Sequence, residues 1–253
     1  LLAADEPPAF SVEREHGTSV YLIVADHASR RLPRALGDLG VGSEALTRHI
    51  AWDIGIAEVA QRVSKRLDAC LVLQNYSRLV IDANRPPGTA QSIVTLSEHT
   101  RIPGNEDVSD ADAKRREREI FHPYHTRIRE ELARRRASGR GLALCSLHSF
   151  TPSFKGVARP WHVGVLYNRD PRLGHGLLAL LRQDPMLAVG DNQPYAVSDE
   201  TDYTVVVHAE RVGIPYLEIE LRQDLIADEA GQQRWAERLA DLLPRAFASV
   251  VPA

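Results

Sequence analysis

The chain has little of what would place it outside the ordinary globular proteins. Its 253 residues include two cysteines, Cys70 and Cys145. They form no CxxC spacing, which argues against a cysteine-built zinc site, and each lies in an apolar run suited to a buried reduced thiol. No apolar stretch approaches the length of a transmembrane helix, so no membrane partner is expected. Residues 1–8 lack a basic segment followed by an apolar core; they do not read as a signal peptide, and a cytoplasmic location is the expectation. Nor is there an excess of positive charge. Lys+Arg number 31 against Asp+Glu 34, for a net charge of -3, which gives no reason to expect nucleic acid as a partner. The run Arg134-Arg135-Arg136 is diluted by Glu130 and Glu131 and reads as a solvated helix face. Internal repeats, low-complexity tracts and interdomain linkers are all missing.

What is present is 43% hydrophobic and 26% charged, an ordinary globular composition. The length suits one α/β domain with a substantial core. We expect a single domain over residues 1–253, with residues 1–18 an irregular arm broken at Pro7-Pro8. Short apolar runs at 19–25, 69–73, 141–147, 161–167 and 214–221 read as buried strands. Helical patterns alternate with them. Ser43 is a good N-cap for a helix running to about Leu67, with Leu46, Ile50, Ile54, Ala57 and Val63 as its stripe. Residues 109–137 form a long charged helix with a kink expected at Pro123, and residues 171–183, 202–212 and 228–249 complete the set. The alternation predicts an α/β fold with a largely parallel sheet. The polar connection 89–107 is long enough to be functional.

Five places put chemically capable residues at or beside a strand end: Asp26-His27, Asp82-Ala83-Asn84-Arg85, His148-Ser149, Tyr167-Asn168 and Glu218 to Arg222. In open α/β sheets the site lies outside the carboxyl ends of the strands. One such histidine is more often a packing or capping residue; several together indicate a common crevice. A catalytic zinc needs three protein ligands and an open position. His27 and His148 are the histidine candidates, and Asp53, on the element after the first strand, supplies a carboxylate; His49 is its neighbour one turn away. On the last strand Glu218, Glu220 and Arg222 share a face while Leu217, Ile219 and Leu221 share the other. Burying such charges is costly unless they are paired or used. The plain alternative is an ion-pair ladder on an exposed edge; the functional one makes Glu220 a general base acting on water. Asn84, Arg85 and Arg159 are candidates for holding a substrate carboxylate, arginine through its bidentate fork. His162 and His208 read as structural.

Several ordered segments resemble the N-formylglutamate amidohydrolase family. They are residues 25–33 (ADHASRRLP), 49–55 (HIAWDIG), 76–86 (YSRLVIDANRP), 102–105 (IPGN), 148–152 (HSFTP), 159–164 (RPWHVG) and 218–226 (EIELRQDLI). The family is similar in turn to zinc carboxypeptidases and aspartoacylase-like deacylases. The resemblance implies a three-layer α/β/α fold of the phosphorylase/hydrolase-like kind with a mostly parallel or mixed sheet. It implies one zinc ion per chain and a small anionic N-acyl amino acid as substrate, such as N-formyl-L-glutamate. Carried onto this sequence, it implies His148 for zinc, Asn84 and Arg85 for substrate, and Glu220 for catalysis. One position departs: carboxypeptidases carry a glutamate ligand three residues after the first histidine, where this chain has Arg30. We expect Asp53 to replace it, with Glu218 and Asp26 as the other possibilities. A deacylase or carboxypeptidase-like enzyme for another acyl amino acid, and a non-catalytic binding protein on a degenerate hydrolase fold, are the rival readings.

Overall fold

A computed structural model describes residues 1–250. In chain order its strands are β1 (Phe10–Glu13), β2 (Tyr21–Ala25), β3 (Cys70–Gln74), β4 (Leu96–Ser97), β5 (Thr100–Arg101), β6 (Ala143–Phe150), β7 (Ser153–Phe154), β8 (Val157–Ala158), β9 (Val163–Leu166), β10 (Val189–Asp191) and β11 (Tyr216–Arg222). The helices are α1 (Gly42–Ala45), α2 (Ile56–Leu67), α3 (Asp110–Arg116), α4 (His122–Ala137), α5 (Arg172–Leu181), α6 (Thr204–His208) and α7 (Glu229–Val250). Seven strands make one mixed sheet in the order β1-β3-β2-β6-β11-β9-β10, and β4-β5 and β7-β8 are separate two-stranded hairpins. The pairs β2/β3, β2/β6, β6/β11 and β9/β10 are parallel; β1/β3 and β11/β9 are antiparallel.

Alternation along the strands builds the layers. Tyr21, Ile23, Cys145, Leu147, Leu217 and Ile219 face α2, α5 and α7 on one side. Leu22, Val24, Leu144 and Tyr216 face α4 and α6 on the other. This is the α/β/α arrangement expected. On the second face the apolar pattern breaks toward the carboxyl ends, where Asp26, Ser146, His148, Glu218 and Glu220 follow. β2 has β3 on one side and β6 on the other, and their crossovers run through α2 and α4 on opposite faces of the sheet. That is a topological switch point, where α/β sheets open a crevice.

Three expectations need correction. Residues 10–13 of the supposed irregular arm pair with β3, register Phe10 with Gln74. The single helix over residues 43–67 does not form: α1 ends at Ala45 and α2 starts at Ile56. Between them the chain wraps inward, with Ala51, Leu39, Leu79 and Ile102 in one apolar cluster that Leu46 packs against, so the first part of the apparent stripe is loop, while Ala57 and Val63 lie on α2. The long helix does bend near Pro123, through a π-helical turn at Glu117–Phe121. Its arginine run is not simply solvated: Arg134 and Arg135 both bind the buried Glu131, and Arg135 donates to the carbonyls of Gly17 and Ser19. Among the described residues no helix is long and apolar enough to cross a membrane. Cys70 and Cys145 are free and buried.

Candidate active site

His27 follows directly on β2, where the strand leaves the sheet. His148 lies near the end of β6, and Glu220 of β11 stands beside it in register. Asp53 is brought in from the wrapped segment: its backbone N–H donates to the His27 carbonyl at 2.9 Å, and Gly55, at φ +78°, turns the chain into α2 immediately after. His27, Asp53 and His148 thereby place one ligand-capable atom each within 4.8 Å of one another, all buried. Asp53 Oδ2 is 2.9 Å from His148 Nδ1 and 3.4 Å from His27 Nδ1, and it also accepts from the Ser149 N–H at 3.2 Å.

The outer nitrogen of each imidazole has its own carboxylate. His27 Nε2 lies 2.7 Å from Asp82 Oδ1. His148 Nε2 lies 3.2 Å from Asp26 Oδ2 and 3.0 Å from Ser146 Oγ, and Glu218 Oε2 is 3.8 Å away. Asp26 is fixed in turn by Thr204 Oγ1 at 2.8 Å. Metal-binding histidines ordinarily have such a partner on the second nitrogen, which fixes tautomer and ring direction. Two imidazoles and one carboxylate, converging and braced from behind, are a donor set that suits zinc. Arg30, at the departing position, lies outside the cluster with its guanidinium over the Trp52 ring. Asp26 and Glu218, the other ligand possibilities, sit behind His148 rather than among the converging atoms.

The charges in this cluster shift one another. Burial and Arg78 oppose protonation of His27, but Asp82 and Asp53 outweigh them and raise its pKa. Burial is likewise outweighed at His148, by Glu218, Asp26 and Asp53, and its pKa is well raised. Burial would lift Asp53 and Asp26, yet the two histidines hold Asp53 far below the usual carboxylate range and Asp26 at about 2. Glu218 and Glu220 go the other way. Burial pushes each up to about 8, and the Oε2 of each has no hydrogen-bond partner among the described residues.

His27, Asp53, Asp82, His148, Glu218 and Glu220 line one cavity of about 490 Å³, together with Asn84 and Arg85. Asn84 is tied at both ends: its Oδ1 accepts the N–H groups of Tyr203 and Thr204 at 3.0 Å, and its Nδ2 donates to Asp202 at 3.3 Å. It caps the approach to α6. Arg85 is anchored through Nη1 alone, to the carbonyls of Asn84 and Thr201. Arg159 stands apart, stacked over Phe154 at 4.7 Å and Tyr195 at 4.8 Å, with Nη1 donating to Tyr195 Oη at 2.8 Å. Phe154 and Tyr195 line the cavity. His162 accepts the Ala188 N–H, and His208 pairs with His125 at 2.9 Å away from the cavity.

Four of the five strand-end groups converge here. Tyr167-Asn168 does not: β9 runs antiparallel to β11, so its carboxyl end lies at the opposite edge of the sheet, where Tyr167 bonds Asp191 and Asn168 bonds Glu210. The same antiparallel run brings Arg159, ahead of β9, to the correct edge. Sequence reasoning missed Arg78. Its Nε and Nη2 bind Asp82 Oδ2 at 3.0 and 2.7 Å, and its Nη1 lies 3.6 Å from Asp53 Oδ1. The available signal was its place four residues before Asp82, in the segment that also supplies Asn84 and Arg85.

Fold and site together define a hydrolase of amide bonds built on an α/β/α sandwich. The chain belongs to the N-formylglutamate amidohydrolase family, whose profile matches residues 19–227. It is similar to a gene product of Agrobacterium tumefaciens of known crystal structure, at 36% identity over 98% of both chains with a TM-score of 0.95. It shares its fold with an N-formylglutamate amidohydrolase from Ralstonia eutropha JMP134, at 18% identity over 96% of this chain and 98% of that one, TM-score 0.66. No curated protein matches at comparable significance.

Proposed function

We propose that this is a zinc-dependent amidohydrolase that removes a formyl or other small acyl group from an amino acid nitrogen, N-formyl-L-glutamate being the first substrate to test. The observation that carries this reading is the pairing, in one cavity, of the His27–Asp53–His148 donor set with the buried, unpartnered carboxyl of Glu220. His27, Asp53 and His148 would hold the ion, whose chemistry when bound is to polarise the acyl carbonyl and bring the pKa of water near 7.

The remaining work belongs to the chain. Asp82 and Asp26 hold the two imidazoles in place from behind. Arg85 offers its Nε and Nη2 to the substrate carboxylate, and Asn84 fixes the segment that carries it; Arg159 assists from the rim. Glu220 takes a proton from water as the water oxygen bonds to the acyl carbon. It then returns the proton to the amide nitrogen as the C–N bond breaks, releasing the carboxylic acid, formate in the formyl case, and the free amino acid. A raised pKa suits a group that must both accept and donate near neutral pH.

The test combines metal analysis with product release. Protein purified without added metal and then titrated with zinc should bind about one equivalent and release formate from N-formyl-L-glutamate or a related substrate. Glu220→Gln should keep the metal and lose roughly 10²- to 10⁴-fold in turnover, whereas His148→Ala should lose both. Near-normal turnover in Glu220→Gln, or no zinc binding by the unaltered chain, would sink the mechanism.

A further inference from the structure

His125 and His208 are buried, titratable and unused by the mechanism above. His125, on α4, is 4% exposed, and His208, on α6, is 6% exposed. His125 Nδ1 lies 2.9 Å from His208 Nε2, and His125 Nε2 lies 2.9 Å from the Ala83 carbonyl oxygen. The two ring planes are 16° apart, and the rings of Phe121 and Tyr203 flank His125 with centroids 4.2 and 4.7 Å away. A histidine that merely packs needs no such order. Here the bonds dictate one arrangement of protons. A carbonyl can only accept, so the proton of His125 is on Nε2. Its Nδ1 is then an acceptor, and His208 donates to it from Nε2. Burial holds both imidazoles below the usual histidine range, His125 at about 3 and His208 at about 4, so both are neutral, as this arrangement requires.

The carbonyl that His125 reaches stands at a sensitive place. Ala83 separates Asp82, the brace of His27, from Asn84 and Arg85. Its carbonyl is one side of the Ala83–Asn84 peptide. The other side, the Asn84 N–H, donates to Asp82 Oδ1 at 2.9 Å. That same oxygen lies 2.7 Å from His27 Nε2. Ala83 is buried, and among the described residues no backbone N–H reaches its carbonyl. Without His125 a buried acceptor would be orphaned and the peptide held on its N–H side alone. With it, one line of contacts runs from His208 through His125 and the peptide to Asp82 and His27. Hydrogen bonds in series polarise one another, so the bond to the carbonyl strengthens the one from the N–H. The segment leading into α6 holds the same peptide from beyond Asn84. The N–H groups of Tyr203 and Thr204 bind Asn84, the Thr201 carbonyl binds Arg85, and Thr204 Oγ1 binds Asp26.

Resting on the amidohydrolase reading above, we propose that His125 is a positioning residue. Fixed in one tautomer by His208, it sets the plane of the Ala83–Asn84 peptide. Through that peptide it sets both the Asp82 brace of His27 and the reach of Asn84 and Arg85 toward the substrate carboxylate. His125 touches neither substrate nor ion, yet two separable properties depend on it: zinc affinity and the KM for substrate.

Two amide side chains at position 125 separate this role from packing. In His125→Gln the amide nitrogen falls near the place of the imidazole Nε2 and can donate to Ala83. In His125→Asn it falls near the place of Nδ1 and stops short of that carbonyl. His125→Asn should weaken zinc affinity about tenfold, measured by competition with a chelating dye, and raise the KM for N-formyl-L-glutamate about tenfold in the zinc-loaded protein, at the low end of what outer partners of metal ligands control. His125→Gln should recover most of both losses. Packing alone predicts a lower Tm in each variant with zinc affinity and KM unchanged, and that result would overturn the proposal. Equal losses of affinity in the two variants would overturn it as well. Long-range proton–nitrogen correlation spectra of the metal-free protein should show His125 and His208 both as Nε2–H tautomers; a proton on Nδ1 of either breaks the line and sinks the proposal. Zinc affinity and tautomers are read without substrate. If they behave as expected while the unaltered protein hydrolyses no N-formyl amino acid, the amidohydrolase reading fails and the positioning of His27 stands.

Discussion

Arg78 is where the site's electrostatics are decided residue by residue. Its guanidinium stands between Asp82, which holds His27, and Asp53, which faces both histidines. Removing one member of a buried ion pair leaves the other charge uncompensated, which typically costs 3–5 kcal/mol. Since Arg78 is a quarter exposed, Arg78→Met should cost about 3 kcal/mol in denaturant unfolding of the metal-free protein. Glu220 gives a second expectation. Its pKa in the folded chain is raised to about 8 from 4.5. The stability contributed by the protonated carboxyl is therefore fully present below pH 4.5 and is lost as pH rises through about 8. In chelator-treated protein, Tm should fall less between pH 5 and pH 9 in Glu220→Gln than in the unaltered chain. An equal fall in both would mean that Glu220 ionises freely in its pocket.

At the scale of elements, the entry to α2 controls the site. A Cβ on Gly55 would lie 2.2 Å from the Ile226 carbonyl oxygen, and the residue's φ of +78° already disfavours a side chain. Gly55→Ala should cost at least about 2 kcal/mol and, by displacing Asp53 two residues earlier, weaken zinc affinity measured by competition with a chelating dye. This region also shows what could be read from the sequence. His27 and His148 were legible because largely apolar strands run into them, and Glu220 because charges alternate with apolar residues along its strand; the three strands are parallel neighbours. Asp53 was legible as a carboxylate on the element after the first strand, and the resemblance of its segment to a family pattern strengthened it; the helix expected through it starts only at Ile56, since an inward loop can continue the spacing of a helix stripe. The direction of β9 could not be read, because an apolar run looks the same in either sense, and so Tyr167-Asn168 fell at the wrong edge. Arg78, and Asp82 as the brace of His27, depend on contacts between segments, which no local periodicity encodes.

For the whole molecule, the carboxylates around His27 and His148 raise the pKa of both imidazoles, so that protons compete with a metal ion for them. Metal ligation requires neutral imidazole. Zinc binding at pH 7 should therefore release up to about two protons, seen by calorimetry in buffers of different ionisation enthalpy, and affinity should rise with pH until the histidines are neutral. A ligand at a thousand times its dissociation constant stabilises the fold by about 4 kcal/mol, which for a chain of this size is roughly 10 °C in Tm. That shift should vanish in His27→Ala. A zinc-dependent Tm increase that survives His27→Ala would place the ion elsewhere.

The central strand β6 also sets a timetable for the growing polypeptide. The pieces of the catalytic cavity are scattered from His27 to Glu220, and β6 must insert between β2 and β11 before they can meet. At the usual pace of synthesis, about 5–20 residues per second, His148 leaves the ribosome several seconds before Glu220. For that interval a chain that already holds His27 and His148 lacks Glu220, and β6 and β9 each expose an edge that β11 will later cover. On the mechanism proposed above, catalytic competence is therefore among the last properties the nascent chain acquires, and a fragment ending before β11, which lacks Glu220, should be inactive.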